Sequence, residues 1–185
     1  LSAYGENGIE DVWRYPRPPA IEPVNQPIEI DFGGQLIACT TAALRVLETT
    51  HPPVYYLPQA SFRDCELLPV AGESFCEWKG LARYWSIRSG AKIAQHCSWS
   101  YPTPSLAYAA LRDCLAVYAG AMDACRVGGE TVTPQPGGFY GGWVTKNLKG
   151  PFKGVPGSNF WYRPWSRFRL SDQLCGAGAG GGAAF

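Results

Sequence analysis

Hydrophobic and polar positions alternate most clearly from Ile28 onward. Ile28, Ile30 and Phe32 interleave with Glu29 and Asp31, Gly33-Gly34 follows, and an apolar run resumes from Gln35 to Cys39. Two strands about a Gly-Gly turn form a β-hairpin, because a type I′ turn needs positive φ at both central residues. Thr40 or Thr41 then caps a short helix carried by Ala42, Ala43, Leu44, Val46 and Leu47. His51-Pro52-Pro53 ends that helix, since each proline disfavours helix in the residue before it. Val54–Leu57, Leu81–Arg88 and Ala91–Tyr101 read as strands rich in aromatic and branched residues. Pro104 opens a second helix through Val117, with an apolar stripe of Leu106, Ala110, Leu111, Cys114 and Leu115. Short strands near Val117 and Val127 complete the pattern, which predicts a mainly β fold: one small antiparallel β domain with two short helices.

Composition sets the boundaries around that domain. Residues 1–26 are polar and carry Pro16, Pro18, Pro19 and Pro23, so they read as an extended arm anchored by Trp13 and Tyr15. The β domain then runs over 27–159, an aromatic and Arg-rich extension over 160–175, and a flexible Gly/Ala tail over 176–185. Hydrophobic residues make up 46% of the 185-residue chain, which excludes a wholly disordered protein. The formal charge of +1 disfavours nucleic acid as a partner, and no run approaches the ~18 apolar residues of a membrane span. Seven cysteines without a Cys-x-x-Cys pair suggest free thiols in a reducing intracellular compartment. The expected compartment is the cytosol, or an organelle lumen after removal of a targeting peptide, since the start at Leu1 in place of Met suggests a trimmed product.

Five segments carry a resemblance and occur in order: Ala43–Tyr56, Phe75–Gly80, Trp99–Pro102, Pro134–Trp143 and Gly150–Gly154. Together, over roughly 12–160, they resemble domain-of-unknown-function (DUF) family 427, which also carries a nucleotidyltransferase-like label. The resemblance implies a β fold of the Mss4-like, or β-tent, kind. In that wider group some members hold zinc with two Cys-x-x-Cys knuckles, and some bind ligands in an aromatic pocket. The knuckles are missing here, so neither a metal nor another cofactor carries over. Nucleotidyl transfer would need paired carboxylates for Mg²⁺. Glu29/Asp31 and Asp64/Glu66 have the spacing, yet the first pair also forms the polar side of an amphipathic hairpin, and no phosphate-cradling glycine motif is present.

The densest chemistry lies in Cys76-Glu77-Trp78-Lys79-Gly80. In a tight turn Lys79 could stabilise a Cys76 thiolate while Glu77 or His51 moves a proton, so these four are the candidate catalytic residues. Ring-bearing residues gather around the same motifs. Tyr55, Trp78, Trp99, Tyr101, Phe139, Tyr140 and Trp143, with Lys79 and Lys153 as cations, are the candidate lining of a pocket for a planar or anionic ligand. The expected function is therefore a small-ligand or partner-binding module. The alternatives are an enzyme using Cys76 or Lys79 on a nucleotide-like or carbonyl substrate, and a structural subunit of an assembly. A protein partner would dock through Phe160–Arg169, where five aromatics accompany three arginines.

Overall fold

The computed structural model describes residues 4–158. In chain order its strands are β1 Gly5–Glu6, β2 Ile9–Asp11, β3 Ala20–Pro23, β4 Ile28–Phe32, β5 Gln35–Thr40, β6 Leu44–Leu47, β7 Val54–Pro58 and β8 Glu66–Cys76. They continue with β9 Gly80–Ser89, β10 Lys92–Ser100, β11 Cys114–Val117, β12 Ala124–Val127, β13 Glu130–Thr131, β14 Thr133–Pro134, β15 Trp143–Val144 and β16 Leu148–Lys149. Among the described residues a seven-stranded antiparallel sheet has the order β3-β6-β7-β11-β10-β9-β8, and a four-stranded one the order β13-β12-β4-β5.

The two sheets enclose the main core. Ile28, Ile30 and Phe32 of β4 meet Tyr55 and Leu57 of β7, Leu115 and Val117 of β11, and Ile87 of β9. Glu29 and Asp31 take the opposite side of β4, where Arg126 bridges them at 3.1 and 2.6 Å. That ion pair accounts for the carboxylates without a metal, and no cluster of metal-ligating side chains occurs among the described residues. The hairpin turns through Gly33 and Gly34 at φ +66° and +78°, the left-handed values such a turn requires.

Neither expected helix forms. Leu44–Leu47 is a strand between β3 and β7, and Thr40 Oγ1 accepts from the Ala42 amide in a local turn instead of capping a helix. Leu106–Leu111 is a 3-10 segment, after which Cys114–Val117 enters the middle of the large sheet. A four-residue apolar run buried on both faces suits a central strand, so tertiary pairing overrides the helical stripe. The long strand β8 escapes sequence reading because it carries Pro69 and Gly72. Both are tolerated at a sheet edge, and the register slips between Val70 and Glu73 with Gly72 at φ +103°.

Within the arm, β1, β2 and β3 form among the described residues. Tyr15 and Val12 pack with Leu47 in a small cluster, while Trp13 is partly exposed and donates from Nε1 to the Pro151 carbonyl at 3.0 Å. Among the described residues no helix is long and apolar enough to cross a membrane. The extension Phe160–Arg169, Cys175 and the tail 176–185 lie outside the described residues.

Candidate functional site

Side chains alternate across a strand, so the seven-stranded sheet has a second face turned away from the main core. Tyr56 points there while its neighbours Tyr55 and Leu57 point inward. Trp99 and Tyr101, with Ala82, Cys114 and Ala116, share the second face, and partly exposed Cys76, Trp78, Tyr84 and Tyr118 border it. The 3-10 segment covers one part through Tyr108 and Leu111, and the Tyr108 hydroxyl donates to the Pro19 carbonyl at 2.7 Å. Trp99 donates from Nε1 to the Tyr56 hydroxyl at 3.2 Å and lies 4.6 Å from the Tyr118 ring.

The Cys76–Gly80 segment is a tight turn that joins β8 to β9, with Cys76 paired to Gly80. Gly80 sits at φ +98°, a value strained for any other residue. Ser105 braces the turn from outside, its hydroxyl donating to the Trp78 carbonyl at 2.6 Å and its amide to the Lys79 carbonyl at 3.2 Å. Lys79 is only 8% exposed, and its Nζ lies 5.7 Å from the centroid of the Tyr101 ring. No carboxylate lies within ion-pair distance of it among the described residues. Trp78 Nε1 is buried and has no hydrogen-bond partner. Arg17 sits over the Trp78 ring at 5.8 Å and bridges Glu77 at 2.8 Å and Glu48 at 3.4 Å. Glu77 is thus engaged as an ion-pair partner of the arm.

A second group of predicted residues meets at the rim. His51 Nδ1 lies 2.9 Å from the Thr49 carbonyl, which fixes the proton on Nδ1, and the ring packs edge-on against Tyr140 at 4.9 Å. The Lys153 amide donates to the Thr50 carbonyl at 2.8 Å, bringing its segment beside the His51 turn. Gln135 ties the loops together, its Nε2 donating to the Lys153 carbonyl at 2.8 Å and its Oε1 accepting from the Gly142 amide at 3.0 Å. Burial lowers the Lys153 pKa, and Arg17 adds to the shift against an opposing Glu48. Gly141 packs on Trp99 so closely that a Cβ there would lie about 2.0 Å from the ring, which ties the glycine loop to the second face. Phe139, in contrast, is 65% exposed and extends outward.

Two predicted lining residues stand elsewhere. Trp143 is fully buried in the core between the sheets, its Nε1 donating to the Val117 carbonyl at 3.0 Å, and its ring lies 5.1 Å from Tyr55. Tyr55 and Trp143 are therefore separated from Trp78, Lys79, Trp99 and Tyr101 by the thickness of the sheet. The expectation of one hollow shared by all these rings is corrected: Tyr55 and Trp143 serve packing. Sequence reasoning missed Arg17, Glu48 and Tyr118 as neighbours of the site. Arg17 gives no local signal, since it reaches Glu77 across 60 residues of chain.

Burial lowers the pKa of His51, with Lys153 and Arg17 adding to the shift while Glu48 and the Thr49 hydrogen bond oppose it. A depressed histidine means that the unfolded chain binds more protons just below pH 6.5. Its contribution to stability is therefore complete above about pH 6.5 and is lost as the pH falls toward the folded value. Urea midpoints should drop between pH 7.5 and 5.5, and H51Q should flatten that dependence. Parallel curves for the two proteins would refute the assignment.

A family model described as domain of unknown function (DUF427) matches residues 20–128, more than half of the chain. No curated protein matches it.

Proposed function

The chain belongs to the DUF427 family, and from that premise we propose that it is a small-ligand-binding module whose ligand lies on the second face of the large sheet, between the Glu77–Lys79 turn and the Trp99–Tyr101 strand. The observation that carries this reading is one turn in which the buried Trp78 indole N–H has no hydrogen-bond partner and the neighbouring Lys79, 8% exposed, has no carboxylate within ion-pair distance among the described residues. Buried polar groups are nearly always hydrogen-bonded, and the exceptions call for a partner. Tyr84 and Tyr118, partly exposed over the buried Trp99 and Tyr101 rings, supply aromatic surface beside them, which suits a planar body. His51, Tyr140 and Lys153 form the rim on this reading. The fold is taken to be of the Mss4-like or β-tent kind implied by the resemblance, with the domain over 27–159 and the arm strapped across it by Arg17. Six described cysteines, all free thiols, support a reducing intracellular compartment.

Cys76 offers a built-in reporter. It is partly exposed beside the site, whereas Cys39 is exposed on the other sheet. A panel of planar aromatic fragments at millimolar concentration should contain members that slow alkylation of Cys76 and leave Cys39 unchanged. If no fragment changes the Cys76 rate, the binding reading fails.

A catalytic role for Cys76 or Lys79 is the second reading, favoured by the turn that brings both to one face. It would require Cys76 to react faster than an ordinary thiol in the same alkylation experiment.

A further inference from the structure

We infer that the ligand of the second face presents an anionic group without donors of its own, a carboxylate or a phosphate, to Trp78 Nε1 and Lys79 Nζ. This rests on the binding reading above and adds the chemical class of the ligand. Both side chains are donor-only: indole offers one N–H, and an ammonium offers three N–H groups and no acceptor. A neutral ligand with mixed donors and acceptors would satisfy the indole and leave the cation uncompensated. A carboxylate or phosphate offers acceptor oxygens to both, through charge-assisted hydrogen bonds that are roughly twice as strong as neutral ones.

The surroundings explain why the charge must come from outside the described fold. The nearby carboxylates, Glu48 and Glu77, are both held by Arg17. Lys79 Nζ lies over the Tyr101 ring at 5.7 Å, a weak attraction that does not neutralise its charge. The arm matters here because Arg17 neutralises the acidic side chains that would otherwise repel an anion. Lys153, buried at the rim, adds a second positive group near enough to interact with both Arg17 and Glu48.

The test is titration of the full chain with 1-naphthoate, 1-naphthyl phosphate and neutral 1-naphthamide. Binding is followed by calorimetry and by the NMR signal of the Trp78 indole N–H, assigned with W78F. At least one anion should bind about tenfold more tightly than the amide and move the Trp78 signal downfield. K79Q should abolish the preference and K79R should keep it. Preference for one anion over the other identifies the natural group as carboxylate or phosphate, and either result supports the inference. Equal affinity for the amide and both anions in the wild-type chain would overturn it while leaving the binding reading intact, and this comparison decides even if K79Q fails to fold. If none of the three moves the Trp78 signal, the inference fails. The binding reading then stands or falls on the Cys76 protection experiment.

Discussion

Replacing Trp143 with alanine should cost about 3–5 kcal/mol, the range for truncating a large buried aromatic. Its side chain is 0% exposed, fills the space between the two sheets and lies against Tyr55. Its indole N–H also satisfies the Val117 carbonyl in the central strand β11. Truncation removes the ring and leaves that carbonyl without its donor, so the cavity and the lost hydrogen bond add. A loss of this size is a large part of the ~5–15 kcal/mol that holds a typical domain together. Urea denaturation should show it as a large drop in midpoint, with F139A, on the exposed part of the same loop, changing stability by about 0.5 kcal/mol or less. Similar midpoints for W143A and F139A would contradict the assignment of Trp143 to the core and return it to the list of ligand contacts.

The second large effect is expected at Arg45. Its guanidinium donates to both carboxylate oxygens of Glu10 at 3.1 Å and to Glu22 at 2.7 and 3.1 Å. Tyr15 donates to Glu10 at 2.7 Å, so one buried carboxylate holds the arm to β6. Burial raises the Tyr15 pKa strongly, with the Glu10 hydrogen bond and charge adding, so the phenol remains protonated across the working range. R45A would leave Glu10 enclosed without its cation, for which a loss of about 3 kcal/mol is expected. Because Glu22 is about a third exposed, E22A should cost much less. Proteolysis gives a second readout: R45A should open the arm to cleavage between residues 12 and 19, ahead of β3, before the sheets unfold. Resistance equal to wild type would show that Val12 and Tyr15 packing and the Trp13, Arg17 and Pro19 contacts hold the arm without Arg45.

The sequence and the structure agree where a local rule decides the outcome. The Ile28–Cys39 hairpin is legible because strict alternation and a Gly-Gly turn act within a dozen residues. The strand Leu44–Leu47 is not, since Ala43, Leu44, Val46 and Leu47 fit a helical stripe as well as an alternating one. What decides is pairing with Ala20–Pro23 on one side and Val54–Tyr56 on the other, contacts between separate segments of the chain. Cys114–Val117 has the same ambiguity, settled by its place between β7 and β10.

The site is half legible for a related reason. Consecutive Tyr55 and Tyr56 must point to opposite faces of a strand, but the sequence does not say which face the second sheet covers. With the β4–β5 and β12–β13 hairpins packed on the Tyr55 side, Tyr55 and Trp143 join the main core, and Tyr56, Trp99 and Tyr101 form a second buried cluster on the other face. The Cys76–Gly80 turn is recognisable from its composition. The strap by Arg17 depends on tertiary placement of the arm, and nothing within the arm itself announces it.

The most direct measurement is the location of a bound planar anion by intermolecular nuclear Overhauser effects between 1-naphthoate and the full chain. Contacts from the naphthalene protons to the side chains of Trp78, Lys79 and Tyr101 are the predicted result. Contacts confined to the shallow depression of Asp64, Cys65, Glu66 and Arg88, or contacts with no side chain at all, would contradict it.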